Sequence, residues 1–409
     1  MKMEKNLINK ILADTAYVRM GGREEEKKAA EYLVDVCNQF TSGAYLEEFA
    51  VDLGDIKRAK LYADGKEIAC KAYMCCGSGI VEGELYYLRA TDKYSLSQCR
   101  GKIVMIDTYL GYWRYRDLIE NGALAFITFD GNINYADRDI DQRELRSYVS
   151  RGEKLLGVNI NAKDAVKMVE EGVKDIRIEV EQDEHEGRSQ NVVLEMKGER
   201  EEYIVFTAHY DSTSLSTGAY DNMSGCLGLL HMIEYFSKNP HSYSLRFVFC
   251  GSEERGLLGS KAYCETHGEE LDKCVLCINL DMIGCIMGKF ASCCTSEKEL
   301  VSYITYMGLE CGFPVSVYQG VYSSDSTPFS DKGVPSVSFA RHAPGNTGTI
   351  HNSYDTKALL TAEQIEKDSE FITKFADRMA NAVYCPVARK IPDNMKQKLD
   401  EYLLRKKPE

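Results

Sequence analysis

No stretch of the sequence approaches the roughly 18 consecutive apolar residues that a membrane-spanning helix requires. Lys and Arg form no block outside the last few residues, and the net charge is −13, so the basic footprint of a nucleic-acid surface is missing. The first ten residues, Met1-Lys-Met-Glu-Lys-Asn-Leu-Ile-Asn-Lys10, hold no apolar core of signal-peptide length, and the expectation is a cytoplasmic protein. There is no internal repeat and no low-complexity tract. The 15 cysteines are odd in number and scattered, many of them inside apolar strands. Without an export signal they read as reduced, buried thiols rather than a disulfide framework. Cys274 and Cys277 form a CxxC pair, but no second pair follows at zinc-ribbon spacing. Positions three apart on a strand are also expected to face opposite sides, so a structural zinc is not expected there.

Against these absences, a hydrophobic fraction of 44% and a charged fraction of 28% over 409 residues suit a globular chain with more than one structural unit. Residues 5–13 read as a short helix, and Gly21-Gly22 as a break. Over 23–40 the apolar residues Ala29, Ala30, Leu33, Val36, Cys37 and Phe40 recur at helical spacing. Glu24, Glu25 and Glu26 fall in the first turn, where the helix dipole favours them. From about 55 to 176 short strands at 101–107, 122–129 and 155–160 alternate with helices at 113–121 and 162–171. Residues 130–152 read as a charged surface excursion. This β-rich insert holds few candidate catalytic groups, His185 being the histidine nearest to it, and reads as a lid or packing module.

From about 186 the pattern becomes strand, loop, helix, repeated. Strands fit at 191–196, 204–207, 245–250, 275–280, 315–318 and 336–339, and helices at 222–238, 257–267, 296–310 and 362–383. Several strands are continuous apolar runs, as in a sheet covered on both faces. The expected fold is α/β, a doubly wound, mostly parallel sheet with helices on both faces. The chain then divides into residues 1–54 with 177–390, an insert at 55–176, and a charged tail at 391–409 read as either a short helix or a frayed end.

Sheets of this kind place ligands beyond the carboxyl ends of their strands. The strand at 204–207 is followed by His209 and Asp211, and the next loop by Asp221. The strand at 245–250 leads to Glu253-Glu254, that at 275–280 to Asp281, and that at 336–339, through a glycine-rich loop at 345–350, to His351. Four strand ends thus deliver imidazoles and carboxylates to one edge, the donor set of borderline divalent metals. Two metals sharing a bridging carboxylate need about five such ligands and a free general base, which this set supplies. A single strand-end histidine or a lone Glu-Glu pair carries little; the specificity lies in the set.

His209-Tyr-Asp211, Gly218-Ala-Tyr-Asp221-Asn-Met-Ser-Gly225, Gly251-Ser-Glu253-Glu254-Arg-Gly-Leu-Leu-Gly-Ser260, Asn279-Leu-Asp281-Met-Ile-Gly284, Ser324-Asp325-Ser-Thr-Pro-Phe329 and His351-Asn-Ser-Tyr-Asp355-Thr together resemble the M28 family of zinc aminopeptidases. The resemblance runs in order from about 186 to 385 and takes in the helix that follows Gly21-Gly22. The insert resembles a protease-associated (PA) domain, through residues 101–106 and 121–127. The resemblance implies a zinc exopeptidase fold and two Zn²⁺ per chain, with Co or Mn also fitting the ligands. His209, Asp221 and Asp281 are implied to hold one ion and Asp221, Glu254 and His351 the other, with Asp221 as the bridge. Glu253 is implied to be the general base, taking a proton from a zinc-activated water and passing it to the leaving amine. Asp211 is implied to orient His209 through its far nitrogen, with Asp355 a weaker candidate for a similar role. A cis Asp221–Asn222 peptide is implied as well.

Ser326 departs from the family pattern, standing where many members have histidine, which leaves Asp325 without an assigned part. Tyr322 reads either as an oxyanion donor or as a packed wall of the pocket. Arg341 and His342 lie on the approach to His351. His231, His241 and His267 read as structural or exposed. The reading that follows is a di-zinc exopeptidase acting on peptides, an aminopeptidase first. A carboxypeptidase, dipeptidase or amidohydrolase on the same scaffold, a one-zinc glutaminyl cyclase, and a non-catalytic binding protein are the alternatives. Side-chain preference and oligomeric state are not encoded legibly.

Overall fold

The computed structural model describes residues 3–107, 110–134, 140–345 and 347–407. Asn346 of the glycine-rich loop, residues 135–139 of the expected excursion and the last two residues of the tail lie outside the described residues. The chain divides into two compact units, Met1–Ala50 with Arg188–Glu409, and Val51–Gly187. The second boundary falls later in the chain than the sequence pattern placed it. Ile176, Ile178 and Val180 alternate into the core of the smaller unit, whereas Val192 and Leu194, further along the same strand, belong to the core of the larger one.

The larger unit is built on a sheet. Its strands run in the order Ser316–Gln319, Lys289–Thr295, Ser336–His342, Cys274–Leu280, Arg200–His209, Tyr243–Cys250 and the later part of Asp175–Met196. From Ser336–His342 to Tyr243–Cys250 the four neighbours are parallel. Lys289–Thr295 and Asp175–Met196 flank those four antiparallel. Side chains alternate between two apolar layers. Ile204, Phe206, Phe247, Ile278 and Phe339 face a core shared with Ile8, Leu33, Leu227, Leu300 and Phe371. Those partners come from helices Lys5–Asp14, Glu24–Phe40, Ser224–Phe236, Lys298–Cys311 and Ala362–Ala380. Val205, Val248 and Cys277 face the other way, onto Tyr263 of helix Leu258–Thr266 and Phe329 of the short helix Ser326–Asp331. This is the doubly wound sheet with helices on both faces that the sequence pattern predicts. Among the described residues no helix is long and apolar enough to cross a membrane.

The structure settles or departs from the sequence reading at four further places, the tail taking the helical one of its two readings. Strand Lys289–Thr295 is absent from it, because Ala-Ser-Cys-Cys carries too little contrast in polarity to show a period of two. Cys274 and Cys277 point into the same apolar cluster rather than to opposite faces, since the register slips between Cys274 and Leu276 and adds a residue to that side. The tail is folded. Helix Asp393–Tyr402 buries Met395 and Leu399 with Ile391 against Val321, and Tyr402 and Ser323 join hydroxyls at 2.7 Å. Finally, the segment read as a surface excursion is not wholly exposed. Leu145 and Val149 are core residues, held by backbone bonds between Met74 and both Arg143 and Leu145. All fifteen cysteines are free thiols.

The smaller unit is also built on paired strands. Gly79–Leu88, Lys102–Ile106, Ala125–Asp130 and Leu156–Asn161 are parallel neighbours, bounded by the antiparallel Cys70–Ala72 and the early part of Asp175–Met196. Helices Tyr112–Glu120 and Ala162–Glu170 supply Tyr115, Leu118, Ala165 and Met168 to its core.

His231, on helix Ser224–Phe236, is buried against Ala362–Ala380, with Nδ1 3.1 Å from the Thr373 hydroxyl. Burial pulls its pKa down from 6.5 to about 4. The unfolded chain therefore binds this proton more readily than the folded one. Stability present above pH 6.5 is lost as pH falls toward 4, by up to about 3 kcal/mol. Urea unfolding of the His231→Gln variant should show a shallower loss of stability over that window than the wild type.

Candidate metal centre

The Arg200–His209 strand alternates so that Thr207 and His209 share the face opposite Phe206 and Ala208, and His209 is the last residue paired in the ladder. The chain then turns through Tyr210, whose amide bonds the Cys250 carbonyl and whose hydroxyl donates to the Gln190 carbonyl. That anchoring delivers Asp211, fully buried, to the same edge. Asp221 sits in a kink, Ala219–Met223, just before helix Ser224–Phe236; it and Asn222 have non-helical backbone angles, and the peptide bond between them is cis. The Asn222 side chain ties this turn to the next strand end. It donates to the Leu280 carbonyl at 2.9 Å and accepts from the amides of Gly225 at 3.0 Å and Met282 at 2.9 Å. At Gly225 a Cβ would meet Asn222 Oδ1 and the Leu280 carbonyl at 2.5 Å, so only glycine permits this approach.

The five candidate ligands converge as two groups sharing one residue. Ligand atoms of His209, Asp221 and Asp281 lie within 4.8 Å of one another, as do those of Asp221, Glu254 and His351. Asp221 Oδ1 is 3.1 Å from His209 Nε2, and Asp221 Oδ2 is 3.1 Å from His351 Nε2. His351 Nε2 is also 3.1 Å from Glu254 Oε2. Glu253 belongs to neither group; its carboxylate stands 3.9 Å from His209 Nε2. The first group is buried, while the His351 side chain is 51% exposed and opens the second to solvent. Three residues at the site, Ser252, Met282 and His351 itself, adopt left-handed φ values of 52°, 62° and 59°. Such conformations are costly for residues with a Cβ and cluster where a side chain must be aimed.

The electrostatics demand positive charge here. Burial opposes protonation of His209, yet Glu253, Asp211, Asp221 and Asp281 together raise its pKa well above the usual value. Burial also opposes protonation of His351, but Asp221 and Glu254 push it up to about 11. Burial raises Asp281 and lifts Glu254 to about 7. Burial, relieved by His209 and deepened by the charge of Glu254, pushes Glu253 well above the carboxylate range. One Asp281 oxygen is buried without a hydrogen-bond partner. Divalent cations answer this demand while leaving the imidazole lone pairs as donors. Asp221 presents one oxygen to each group, as a bridging carboxylate does. The residues fit two zinc ions.

Around the ligands, Asp211 has three contacts. One oxygen faces His209 Nδ1 at 3.4 Å, and the two oxygens accept the amides of Glu253 at 3.0 Å and Glu254 at 3.2 Å. Asp355 accepts the amides of Tyr220 at 2.8 Å and Asp221 at 3.2 Å and the Ser216 hydroxyl at 2.9 Å. Ser326, in place of the family's histidine, joins Ser324 and Ser338 in a buried ring of hydroxyls 2.9–3.1 Å apart. Asp325 is buried near Ser260, and burial lifts its carboxyl to about 6. Tyr322 is mostly buried, its ring 6.0 Å from that of His342. Arg341 is committed elsewhere, donating to both Asp368 oxygens and to the Gly288 carbonyl. His267 bonds Glu47, and His241 the Tyr243 carbonyl. In the smaller unit, His185 bonds Asp55.

Two buried charges escape a reading of the sequence alone. Arg19, fully buried, donates to the carbonyls of Thr15, Tyr17, Tyr210, Thr217 and Gly218, so it brackets the segment that carries Asp211. Glu26 is not the exposed dipole partner expected in the first helical turn but is completely buried. A signal for Glu26 existed: it lies three, four and seven residues before Ala29, Ala30 and Leu33, on the apolar face. Arg19 had no comparable signal.

Residues 191–376, which hold all five ligands and Glu253, match the model of peptidase family M28. The chain carries an M28 peptidase domain. It is 26% identical over 387 residues to aminopeptidase YwaD of Bacillus subtilis strain 168, a match covering 88% of this chain and 81% of that protein. Its fold is that of BSAP, a zinc aminopeptidase from Bacillus subtilis, with a TM-score of 0.78 and 22% identity over 95% of this chain and 97% of that one. The aminopeptidase from Aneurinibacillus sp. strain AM-1 superposes with a TM-score of 0.75 and 20% identity, over 93% and 95% of the two chains.

Asp355 holds the backbone of the M28 domain's shared aspartate, and the Asp355→Ala variant would leave two buried amides without acceptors. Each unsatisfied group costs about 1–3 kcal/mol, so urea denaturation should show a loss of at least about 2 kcal/mol.

Proposed function

We propose that this chain is a di-zinc aminopeptidase in which Glu253 is the general base. That it is a metal-dependent peptidase follows from its M28 domain. The observation that carries the finer reading is the pair of ligand groups sharing Asp221, with a third carboxylate, Glu253, beside them and outside both. In this reading His209, Asp221 and Asp281 hold one ion, and Asp221, Glu254 and His351 the other. Zinc bound there supplies Lewis acidity and brings the pKa of a water from 15.7 toward about 7.

The chain's own residues do the rest. Glu253 takes the proton of the attacking water and returns it to the leaving amine. Asp211 keeps His209 in the tautomer that offers Nε2 as the ligand atom, and through two amides it holds Glu253 and Glu254 apart in direction. Choice of the peptide's amino end rests on the likeness to aminopeptidase YwaD. A carboxypeptidase would need a cation for the terminal carboxylate, and Arg341, the arginine on the approach to His351, is bound to Asp368.

Metal analysis of the purified protein should find about two zinc ions per chain, and amino-terminal acetylation of a peptide substrate should abolish its cleavage. The Glu253→Gln variant should keep its metals and lose about 10²-fold or more in kcat. A variant that cleaves peptides at the wild-type rate with both ions bound excludes Glu253 as the base.

A further inference from the structure

The loop that carries Glu253 and Glu254 is held by the amides of three consecutive residues, each bonded to a buried carboxylate. Two of these bonds go to Asp211. The third runs from the Ser252 amide to Glu26 Oε1, at 2.7 Å. Glu26 lies far away in sequence, on helix Glu24–Phe40, and its carboxylate gathers donors from three segments. Oε1 also accepts from the Ser252 hydroxyl at 3.2 Å, and the Ser189 hydroxyl reaches both oxygens, at 3.0 and 2.9 Å. Oε2 accepts the Gly22 amide at 2.7 Å and Gln190 Nε2 at 3.4 Å. The Gly22 and Ser252 amides, one on each Glu26 oxygen, can only donate, and a carboxylate accepts both where a side-chain amide, with one acceptor oxygen, cannot. Burial and the charge of Asp211 work in the other direction, pushing the Glu26 carboxyl up to about 8.

Ser252 is the residue that needs this support. Its φ of 52° is left-handed, a conformation costing a residue with a Cβ about 1–3 kcal/mol. A peptide flip there rotates the Cα of Glu253 before that of any other site residue. Glu254 is tied separately, with Asp221 and His351, into the second ligand group. The approach of the amino-terminal segment is close: a Cβ on Gly21 would meet Ser252 Oγ at 2.3 Å, and Arg255 Nη1 donates to the Gly21 carbonyl at 3.2 Å.

We infer that Glu26 is a positioning residue for the reaction: by accepting the Ser252 amide it fixes the turn that aims the Glu253 carboxylate at the attacking water, without touching substrate or a metal ligand's side chain. This rests on Glu253 being the base. The strained turn, the amide on each Glu26 oxygen and the tie of Glu254 to the Asp221–His351 group together make the effect fall on the base rather than on the metals.

The test is a double-mutant cycle between Glu26→Gln and Glu253→Gln, with kcat, KM and zinc content measured for every member. Glu26→Gln alone should lower kcat by ~10²-fold, the scale of a misplaced catalytic group, with KM and two zinc ions per chain retained. Added to Glu253→Gln it should cost little more, because the group it positions is already gone. Wild-type kcat for Glu26→Gln, loss of zinc, a rise in KM, or a full additional loss in the Glu253→Gln background each overturns the inference. If Glu253→Gln itself is fully active, the reading of the base has failed, and the inference with it. If Glu253→Gln is impaired and Glu26→Gln is not, only the role of Glu26 has failed. Should Glu26→Gln not fold, Glu26→Asp enters the same cycle. It keeps the charge but falls one methylene short of the Ser252 amide, and the same outcomes decide.

Discussion

Negative charge buried at one edge of a sheet is the constraint on which the larger unit depends. Six carboxylates gather at that edge, with two imidazoles as the cations among them. Two like charges about 4 Å apart repel by about 4 kcal/mol at an effective dielectric constant near 20. A few such pairs would exceed the 5–15 kcal/mol by which a typical domain is stable. The fold answers in two ways. Asp211, Asp355 and Glu26 are surrounded by amides and hydroxyls, so their oxygens are met by hydrogen bonds. Asp221, Glu254 and Asp281 face imidazoles and a space suited to cations. The division follows the backbone: Asp211, Asp355 and Glu26 have amides in reach and brace the loops, while Asp221, Glu254 and Asp281 turn toward the imidazoles.

Parallel strand order makes the gathering feasible. Four neighbouring strands end at the same edge, so residues far apart in sequence arrive together without long loops. Cross-ties then fix their relative positions to the tolerance a metal pair demands. Asn222 joins the Asp221 turn to the end of the Asp281 strand, Asp355 returns from beyond His351 to hold the Asp221 amide, and Arg19 pins the segment between Asp211 and Asp221. Each tie links two stretches that carry ligands, which is why the site behaves as one object rather than five independent side chains.

The sheet and the clustering of the candidate ligands were legible because both leave local traces: continuous apolar runs, each followed by a polar residue of a metal-binding type. What was illegible depends on partners that only the tertiary structure names. Arg341 looked available on the approach to His351, and its partner Asp368 sits on a helix that shows nothing unusual in sequence. Strand Lys289–Thr295 has small, mildly polar side chains whose burial comes from its neighbours rather than from its own pattern. The slip at Cys274 that turns both thiols to one side is a backbone event with no signature in the residues. Glu26 is the instructive case. Its place on the apolar face was visible, but a run of three glutamates in a first helical turn has an ordinary explanation that obscured it.

The amino-terminal helix has a consequence for what counts as the domain. The match to the M28 family model begins at residue 191, yet Arg19 and Glu26 lie on the far side of the insert. The stretch that match spans is therefore smaller than the stretch that folds. A fragment cut to the matched span would keep every ligand and lose the two buried charges that hold the loops around them. During synthesis the helix emerges long before the loop it grips, and has to wait through the whole insert for its partner. An insertion at that point is tolerated only while it lets the first fifty residues come back to the sheet.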